Sequence, residues 1–234
     1  MGKVLPGIVL AFANSKGGSG KSTLTAVFAG YLYTFGKKHN IKVAVIDADD
    51  AQNSLGKMRH METGGKKDDD EYEIISISSN EIINYIDTMK KQFDIILIDF
   101  PGNLKQAGVI EGLHLADIVI IPFEANKISL DGTFEFYNIY REIQENRERE
   151  GLETIVRGVP NRVTPNLIEY KELVRNKQDL PFELLENHVK ESKVSMQRNI
   201  TTLNDDYSND CNEFCEEVLG LITNYVAVKG GTGT

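Results

Sequence analysis

Residues 12–23, FANSKGGSGKST, bring together three glycines and two lysines at spacings suited to binding phosphate. Gly17, Gly18 and Gly20 allow backbone N–H groups to turn toward one anion. An apolar run precedes this segment and an amphipathic one follows it, so it should lie between a strand and the N-terminus of a helix, where the helix dipole attracts negative charge. The sequence therefore predicts a phosphate-binding loop, and we call residues 15–22 the phosphate loop.

The second half of this loop carries side chains suited to nucleotide and metal binding. In the G-K-[ST] ending of a Walker A motif, the lysine reaches the β- and γ-phosphates and the hydroxyl ligates Mg²⁺. Lys21 and Ser22 match these roles, and we expect Ser19 and Thr23 to belong to the same nucleotide site. Ser15 stands where the motif usually has its first glycine. A glycine-rich turn with incidental lysines is the alternative interpretation.

Aspartates follow two of the apolar runs downstream of the loop. VAVID ends at Asp47 and continues into Asp49 and Asp50, and FDIILID ends at Asp99 before a Pro-Gly pair. Phosphoryl transfer needs carboxylates near the metal and near the attacking water, and ligands of parallel sheets bind at the carboxyl ends of the strands. We therefore predict that Asp47 and Asp99 lie at the metal, Asp99 acting through a water molecule. A solvated acidic loop is the alternative for Asp49 and Asp50.

The elements that must position these residues alternate along the chain. Apolar, β-rich runs are separated by amphipathic segments, the pattern of βα units around a parallel sheet with both faces covered. The predicted strands span residues 8–13, 42–47, 73–78, 93–99, 117–122 and 153–160. The predicted helices span residues 22–36, 80–91, 127–150, 165–177 and 208–226. We predict that Gly36 ends the first helix, and that residues 1–234 form one α/β domain.

The composition restricts the class of protein. Of 234 residues, 41% are apolar and 26% charged, which is ordinary for a chain that buries a full core in water. No run of about 18 apolar residues occurs, no signal-peptide pattern is present, and Pro6 spoils an N-myristoylation match, so we expect a cytoplasmic protein. The net charge of −9 argues against a surface that coats nucleic acid. Cys211 and Cys215 are interpreted as reduced core residues of one helix face.

The segment SKGGSGKST resembles the deviant Walker A motif of the ParA/MinD group of P-loop ATPases, and the similarity extends through most of the chain. The resemblance implies a doubly wound, mostly parallel sheet, ATP and Mg²⁺ as cofactors, and an ATP-dependent homodimer. It also implies a role for the first lysine of the loop. Lys16 would reach across the dimer interface to the phosphates bound by the partner subunit, supplying positive charge on assembly as an arginine finger does.

The resemblance extends to the segments that follow the second and fourth predicted strands. Family members carry a D-x-D-P-Q-like segment, in which Asp47 matches the first aspartate and Asp49 the second, the one that orients or activates the attacking water. Asp50 replaces the proline and Gln52 comes one place late, so this segment departs from the family pattern. The Pro-Gly pair at residues 101–102 resembles the family's second switch, whose backbone senses the γ-phosphate.

The identity of the nucleotide leaves less trace in the sequence. The resemblance places an adenine-contacting asparagine after the last predicted strand, where GVPNRV supplies Asn161; a turn residue after Pro160 is the alternative. The resemblance implies ATP rather than GTP.

The sequence is compatible with three functions for the ATP cycle. In ParA-type DNA partitioning or cargo positioning, the ATP-bound dimer binds DNA non-specifically and a ParB-like partner stimulates hydrolysis. A small basic surface for DNA would consist of Lys190, Lys193 and Arg198. A solvated helix face is the alternative interpretation of these residues. A nucleotide-gated adaptor for a conjugation, secretion or positioning complex would hydrolyse slowly and not bind DNA. A small-molecule ligase related to dethiobiotin synthetase would need a substrate pocket near the γ-phosphate. The last helix has an acidic face, which disfavours a membrane partner.

Overall fold

The apolar runs of the sequence form a six-stranded, all-parallel sheet in the order β3-β2-β4-β1-β5-β6. The computed structural model describes residues 5–49, 53–66, 71–191, 202 and 208–231. The strands are β1 (Ile8–Phe12), β2 (Val43–Asp47), β3 (Glu73–Ser76), β4 (Ile95–Asp99), β5 (Ile118–Phe123) and β6 (Ile155–Pro160). This confirms the predicted α/β class, and each predicted strand lies within three residues of an observed one at both ends.

Helices cover both faces of this sheet. They are α1 (Lys21–His39), α2 (Ser54–Thr63), α3 (Ile82–Gln92), α4 (Val109–His114), α5 (Lys127–Arg149), α6 (Ile168–Arg175) and α7 (Ser208–Gly231). The predicted helices correspond to α1, α3, α5, α6 and α7, whereas α2 and α4 were not predicted. Among the described residues, none of these helices combines the length and apolar character needed to cross a bilayer.

Alternate residues of each central strand point to opposite layers of the core, because side chains in a strand alternate between faces. In β1, Leu10 and Phe12 pack in the layer covered by α1 and α7, whereas Val9 and Ala11 pack in the layer covered by α3, α4 and α5. The sheet is therefore buried on both sides, which is why its strands appear in the sequence as continuous isoleucine and valine runs.

The face of α7 that carries Cys211 and Cys215 is buried, as expected. Phe214, Cys215 and Val218 are at most 1% exposed and pack in the layer that also contains α1. Cys211 and Cys215 are both buried free thiols, which confirms their interpretation as reduced core residues. At the far edge of the same helix, the Tyr225 hydroxyl donates to Asp117 at 2.8 Å, so α7 is also tied to the start of β5.

The predicted end of the first helix at Gly36 is wrong. The helix continues to His39, and Asn40 ends it in the left-handed conformation with φ 58°. Gly36 instead permits a close approach, since a Cβ atom there would lie 2.7 Å from the carbonyl oxygen of Ile41, and the Gly36 carbonyl accepts the N–H of Ile41 at 3.1 Å. Gly36 is thus required by the return of the chain toward β2.

The parallel register brings the predicted site residues to one edge of the sheet. Asp47 at the end of β2 is paired with Asp99 at the end of β4, and Asp99 is paired with Phe12 at the end of β1. The phosphate loop follows β1 directly. Strand β1 lies between β4 and β5, close to the point where the strand order reverses, the usual ligand site of an open α/β sheet.

Candidate functional site

The phosphate loop has the backbone conformation that its glycines predict. Gly18 and Gly20 have φ values of 76° and 99°, in the region that side-chain-bearing residues rarely adopt. Gly20 precedes the first turn of α1, where no side chain caps the helix and no acidic residue is present. The N–H groups at this helix end are therefore available to an anion, as the sequence predicted.

The two lysines of the loop have different surroundings. Lys21 is 8% exposed, and its ammonium donates to the Lys16 carbonyl at 3.3 Å. Burial lowers the pKa of Lys21, and the nearby carboxylates of Asp99 and Asp49 oppose this effect. Lys16 is only half-buried, and its ammonium has no ion-pair or hydrogen-bond partner within the described part of the chain. Lys21 therefore belongs to the interior of the site and Lys16 to its surface.

Two buried carboxylates face each other across the ends of β2 and β4. Asp47 is 1% exposed, and one of its oxygens accepts the N–H groups of Leu55 and Gly56 at 2.9 and 3.1 Å. Within the described part of the chain its other oxygen has no hydrogen-bond partner, and neither do the two oxygens of the fully buried Asp99. Buried polar atoms are normally paired, so three unpaired carboxylate oxygens in one place indicate a site built for a ligand.

The environment of Asp99 disfavours its negative charge in the absence of that ligand. Burial raises the pKa of Asp99 to about 7, the neighbouring Ser22 hydroxyl and Lys21 ammonium lower it, and the Asp47 carboxylate raises it further. Burial likewise raises the pKa of Asp47, against the effect of its backbone hydrogen bonds. A divalent cation would offset this electrostatic cost, and carboxylate and hydroxyl oxygens are the ligands that Mg²⁺ takes. Asp47, Asp99 and Ser22 therefore fit the predicted metal site.

The remaining predicted residues of the loop line the opening of the site. Ser22 and Thr23 lie in the first turn of α1 and are partly exposed, whereas Ser19 is buried with an unpaired hydroxyl. Asp49 is partly exposed at the end of the segment after β2, and its carbonyl accepts the N–H of Asn53 at 2.6 Å. Asp50 and Gln52, which depart from the family pattern, lie outside the described residues.

The segment after Asp99 lies against the phosphate loop, as its predicted switch role requires. A Cβ atom at Gly102 would lie 3.3 Å from the Ser15 carbonyl oxygen and 3.5 Å from the Lys21 ammonium. A side chain at this position would be tight against the Ser15 carbonyl, which would have to shift by a few tenths of an ångström. The backbone at Gly102 thus adjoins both the loop and the lysine predicted to reach the terminal phosphates.

Asn161 joins the end of β6 to the phosphate loop. Its amide nitrogen donates to the Ser19 carbonyl at 2.9 Å, and its amide oxygen accepts the N–H of Arg162 at 2.9 Å. The contact is so close that a Cβ atom at Gly20 would lie 2.1 Å from the Asn161 nitrogen. Asn161 is therefore at the predicted site, where it holds the loop; its role as an adenine contact stays a prediction.

Sequence reasoning missed a second connection, between the loop and α5. The Asn14 amide donates to the Pro122 carbonyl and to the Thr133 hydroxyl, both at 2.9 Å, and accepts the Lys16 N–H at 3.2 Å. The Ser15 hydroxyl donates to the Gly132 carbonyl on the same helix at 3.3 Å. Asn14 belongs to the glycine-rich segment, but Pro122 and Thr133 are 108 and 119 residues away in sequence, so no local pattern predicts these contacts.

Comparison of the sequence with family models gives one match, to an AAA domain, over residues 66–154. The matched range contains Asp99 and the segment after it but not the phosphate loop. No curated protein sequence matches the chain significantly.

Comparison of the structure with solved structures gives matches over nearly the whole chain. A plasmid partition protein from Borrelia burgdorferi B31 bound to AMPPNP has a TM-score of 0.63 at 19% identity, covering 91% of this chain and 98% of that one. The septum site-determining protein MinD from Pyrococcus horikoshii OT3 with Mg-ADP has a TM-score of 0.67 at 18% identity, covering 94% and 98%. A cobyrinic acid a,c-diamide synthase from Mycobacterium smegmatis with ADP and magnesium has a TM-score of 0.66 at 17% identity, covering 91% and 94%.

These matches show the fold. The chain has the doubly wound, parallel P-loop fold of ParA/MinD-type proteins, which confirms the predicted resemblance at that level. A synthase shares the same fold at similar identity, so the fold alone does not select among reactions.

The raised pKa of Asp99 predicts a pH dependence of stability. Below about pH 4 the carboxyl is protonated in both states; between about pH 4 and 7 the folded chain holds a proton that the unfolded chain has released, so stability falls as pH rises through this range. We expect Asp99→Asn to stabilise the nucleotide-free, metal-free protein at pH 8 by about 1–3 kcal/mol, with a gain that shrinks toward pH 5. Urea unfolding at the two pH values measures this; an equal effect at both would contradict the electrostatic interpretation.

Proposed function

We propose that this chain is a Mg²⁺-dependent ATPase whose ATP-bound form is a homodimer that acts as a switch in DNA partitioning or cargo positioning. The observation that carries the nucleotide site is the juxtaposition of an uncapped helix N-terminus and buried Lys21 with the unpaired oxygens of Asp47 and Asp99. The nucleotide and magnesium bound in the similar MinD and synthase structures support this assignment.

In this proposal the phosphates lie in the phosphate loop. Backbone N–H groups from Gly17 to Ser22 surround the β-phosphate, and Lys21 exchanges its bond to the Lys16 carbonyl for the terminal phosphates. Ser22 would ligate Mg²⁺ directly and Asp47 and Asp99 would hold it through water; the ion would supply positive charge to neutralise the phosphates. Mg²⁺ retains several waters and uses few protein ligands in such sites.

The base would be recognised near Asn161. An asparagine amide has two N–H donors and an acceptor oxygen with two lone pairs. One donor is used on the Ser19 carbonyl and one lone pair on the Arg162 N–H, which leaves one of each for an adenine edge. The same side chain would then hold the phosphate loop and select ATP.

Hydrolysis would require groups from two copies of the chain. Asp49, partly exposed at the mouth of the site, would orient the attacking water. Lys16, half-buried and without a partner among the described residues, would reach the phosphates of the second copy. Its charge would then stabilise the transition state only after assembly.

An exposed apolar surface at the same edge of the sheet supports association of two copies there. Ile128 is 77% exposed at the start of α5, one turn from the Gly132 carbonyl that binds Ser15. Leu167 and Ile168, after the end of β6, are 54% and 69% exposed. Large apolar side chains exposed beside a ligand site are typical of interaction surfaces.

The assembly claim is tested by the Lys16→Ala variant. We expect wild-type ATP turnover per chain to rise with protein concentration, because the active site is complete only in the dimer. Lys16→Ala should reduce turnover by about a thousandfold or more, the scale of an arginine-finger contribution, while nucleotide affinity changes less. Turnover independent of concentration, with an unaffected variant, would contradict the claim.

Two control variants define that measurement. Lys91→Ala removes an exposed lysine at the C-terminal end of α3, which leads into the start of β4 at the edge of the sheet opposite the phosphate loop, and should leave turnover unchanged. Lys21→Ala removes the buried lysine and should abolish nucleotide binding itself, so that loss of binding and loss of assembly are distinguished.

A nucleotide-gated adaptor without DNA contact is the second candidate, and the net charge of −9 favours it. Of the basic residues predicted to bind DNA, Lys190 is exposed and forms an isolated β-bridge with Val163. Lys193 and Arg198 lie outside the described residues. The two functions share the ATP site and differ in their response to nucleic acid.

Filter binding of duplex DNA at low salt separates these two functions. The partitioning proposal predicts retention of DNA that depends on ATP, and stimulation of ATP turnover by DNA. Lys190→Ala should lower the slope of log affinity against log salt by about one, the effect of one lost phosphate contact, whereas Lys91→Ala should not. If no DNA is retained in an ATP-dependent way, the partitioning function is contradicted and the adaptor function is favoured.

A further inference from the structure

The chain that enters the phosphate loop is fastened to helix α5. Asn14 is 1% exposed, and its amide nitrogen donates to the Pro122 carbonyl and to the Thr133 hydroxyl, both at 2.9 Å. The amide oxygen of Asn14 accepts the N–H of Lys16 at 3.2 Å. Thr133 lies in α5 and is fully buried. The backbone of Lys16 is thus connected to α5 through two side chains that are inaccessible to solvent.

The Thr133 hydroxyl fixes the orientation of the Asn14 amide. That hydroxyl donates to the Ser129 carbonyl at 2.7 Å, so its single proton is used and it can only accept a hydrogen bond from Asn14. An amide oxygen cannot donate, so the nitrogen of Asn14 must face Thr133, and its oxygen is directed toward the N–H of Lys16. We call the hydrogen bonds from Ser129 through Thr133 and Asn14 to Lys16 the α5 link.

The backbone of Lys16 is held on both sides of its Cα atom. Its N–H donates to Asn14, and its carbonyl accepts the Lys21 ammonium at 3.3 Å. The neighbouring Ser15 hydroxyl donates to the Gly132 carbonyl of α5 at 3.3 Å. If Lys21 moves to a bound phosphate, as the proposed function requires, the contacts with α5 are the ones that continue to hold the Lys16 backbone.

Helix α5 also presents the exposed apolar side chain nearest to this link. Ile128 is 77% exposed and directly precedes Ser129. The turn that carries it is well anchored, because the Asn126 side chain accepts the Ser129 N–H at 2.9 Å and the Ser129 hydroxyl accepts the Glu124 N–H at 3.1 Å. A second copy that contacts Ile128 would therefore meet a Lys16 backbone whose position relative to that contact is fixed.

We propose that Asn14 and Thr133 are positioning residues for ATP hydrolysis, which fix the Lys16 backbone relative to α5 so that its ammonium reaches the phosphates of a second copy. This inference rests on the proposed function, in which Lys16 acts across the interface. A displacement of about 1 Å at a group that acts on the transition state can lower the rate by about a hundredfold. Nucleotide affinity depends instead on Lys21 and the loop N–H groups, so the loss should appear in kcat.

Two substitutions at Thr133 separate this role from packing. Thr133→Val keeps the shape of the side chain and removes its hydroxyl, whereas Thr133→Ser keeps the hydroxyl and removes a methyl group. At a protein concentration that gives maximal turnover per chain, Thr133→Val should lower kcat at least about tenfold, with an ADP affinity within about twofold of wild type. Thr133→Ser should retain most of the wild-type kcat, since a packing defect would affect both variants.

A threonine elsewhere in the chain provides the matched control. The Thr63 hydroxyl donates to the Arg59 carbonyl of α2 at 2.9 Å, the same bond to the residue four positions earlier that Thr133 makes in α5. It takes no part in the α5 link. Thr63→Val should therefore leave kcat unchanged, and urea unfolding of all variants checks that the differences in kcat do not follow stability.

A double-mutant cycle tests whether Thr133 acts through Lys16. Thr133→Val is combined with Lys16→Ala, and the kcat of the double variant is compared with that of each single variant. If the two positions act as a unit, the double variant turns over ATP as slowly as Lys16→Ala alone, within about twofold. Losses that multiply would overturn the proposal, because Thr133 would then act by another route.

A measurement without turnover probes the α5 link directly. In nucleotide-free protein that carries isotope-labelled lysine, the amide resonance of Lys16 is identified by its absence in Lys16→Arg, and its hydrogen exchange is followed by NMR. Thr133→Val should accelerate exchange at this amide about tenfold, whereas Thr133→Ser and Thr63→Val should not, because only the first releases the Asn14 amide. If circular dichroism shows that Thr133→Val is unfolded, Thr133→Ala takes its place.

The two measurements distinguish failure of this inference from failure of the proposed function. Unchanged exchange of the Lys16 amide in Thr133→Val would overturn the positioning role, and so would a wild-type kcat in that variant. Faster exchange in Thr133→Val, combined with absence of ATP turnover in the wild-type protein, would reject the ATPase proposal and the catalytic consequence of the α5 link together. The structural connection between α5 and Lys16 would in that case be confirmed.

Discussion

Two buried carboxylates at neighbouring strand ends impose the strongest constraint on this structure. Asp47 and Asp99 are paired across β2 and β4, are nearly inaccessible to water, and have three oxygens without a hydrogen bond to any described residue. Burying two like charges is unfavourable unless they are protonated, paired or bound to metal. Lys21 compensates part of this charge, and its own pKa is lowered by the same burial. A divalent cation bound with a nucleotide would offset the free-energy cost of these buried carboxylate charges.

The surrounding structure holds the phosphate loop to three different parts of the fold. Asn14 joins it to β5 and α5, Asn161 joins it to β6, and Gly102 brings the segment after β4 against it. These contacts fix the cradle before any ligand binds, which lowers the ordering cost of binding. Lys16 is the contrast, since its side chain is half-buried and makes none of these contacts. A fixed cradle in one copy and a lysine available to another are compatible with activation by assembly.

The sequence predicted the elements whose signal is local and missed those whose signal is tertiary. Continuous isoleucine and valine runs located all six strands, and an aspartate at the end of two of them, with the glycines of the loop, located the site. Helices α2 and α4 were not predicted, because neither has a long run of residues with amphipathic helical spacing. Gly36 was misread as a helix end, since its close approach to Ile41 exists only once the chain turns back. The link between Asn14 and Thr133 depends on residues 119 apart and could not be read from either segment.

The most direct measurement of the central constraint is the affinity for ADP with and without Mg²⁺, determined by calorimetry at pH 8. If the buried carboxylates form a metal site completed by nucleotide, Mg²⁺ should raise the ADP affinity of the wild-type protein by about tenfold or more. Asp99→Asn should lose most of that gain, whereas Asp87→Asn, at an exposed position of α3, should retain it. An ADP affinity that is independent of Mg²⁺, or one that Mg²⁺ raises equally in the Asp99→Asn variant, would contradict a metal-binding role for these carboxylates.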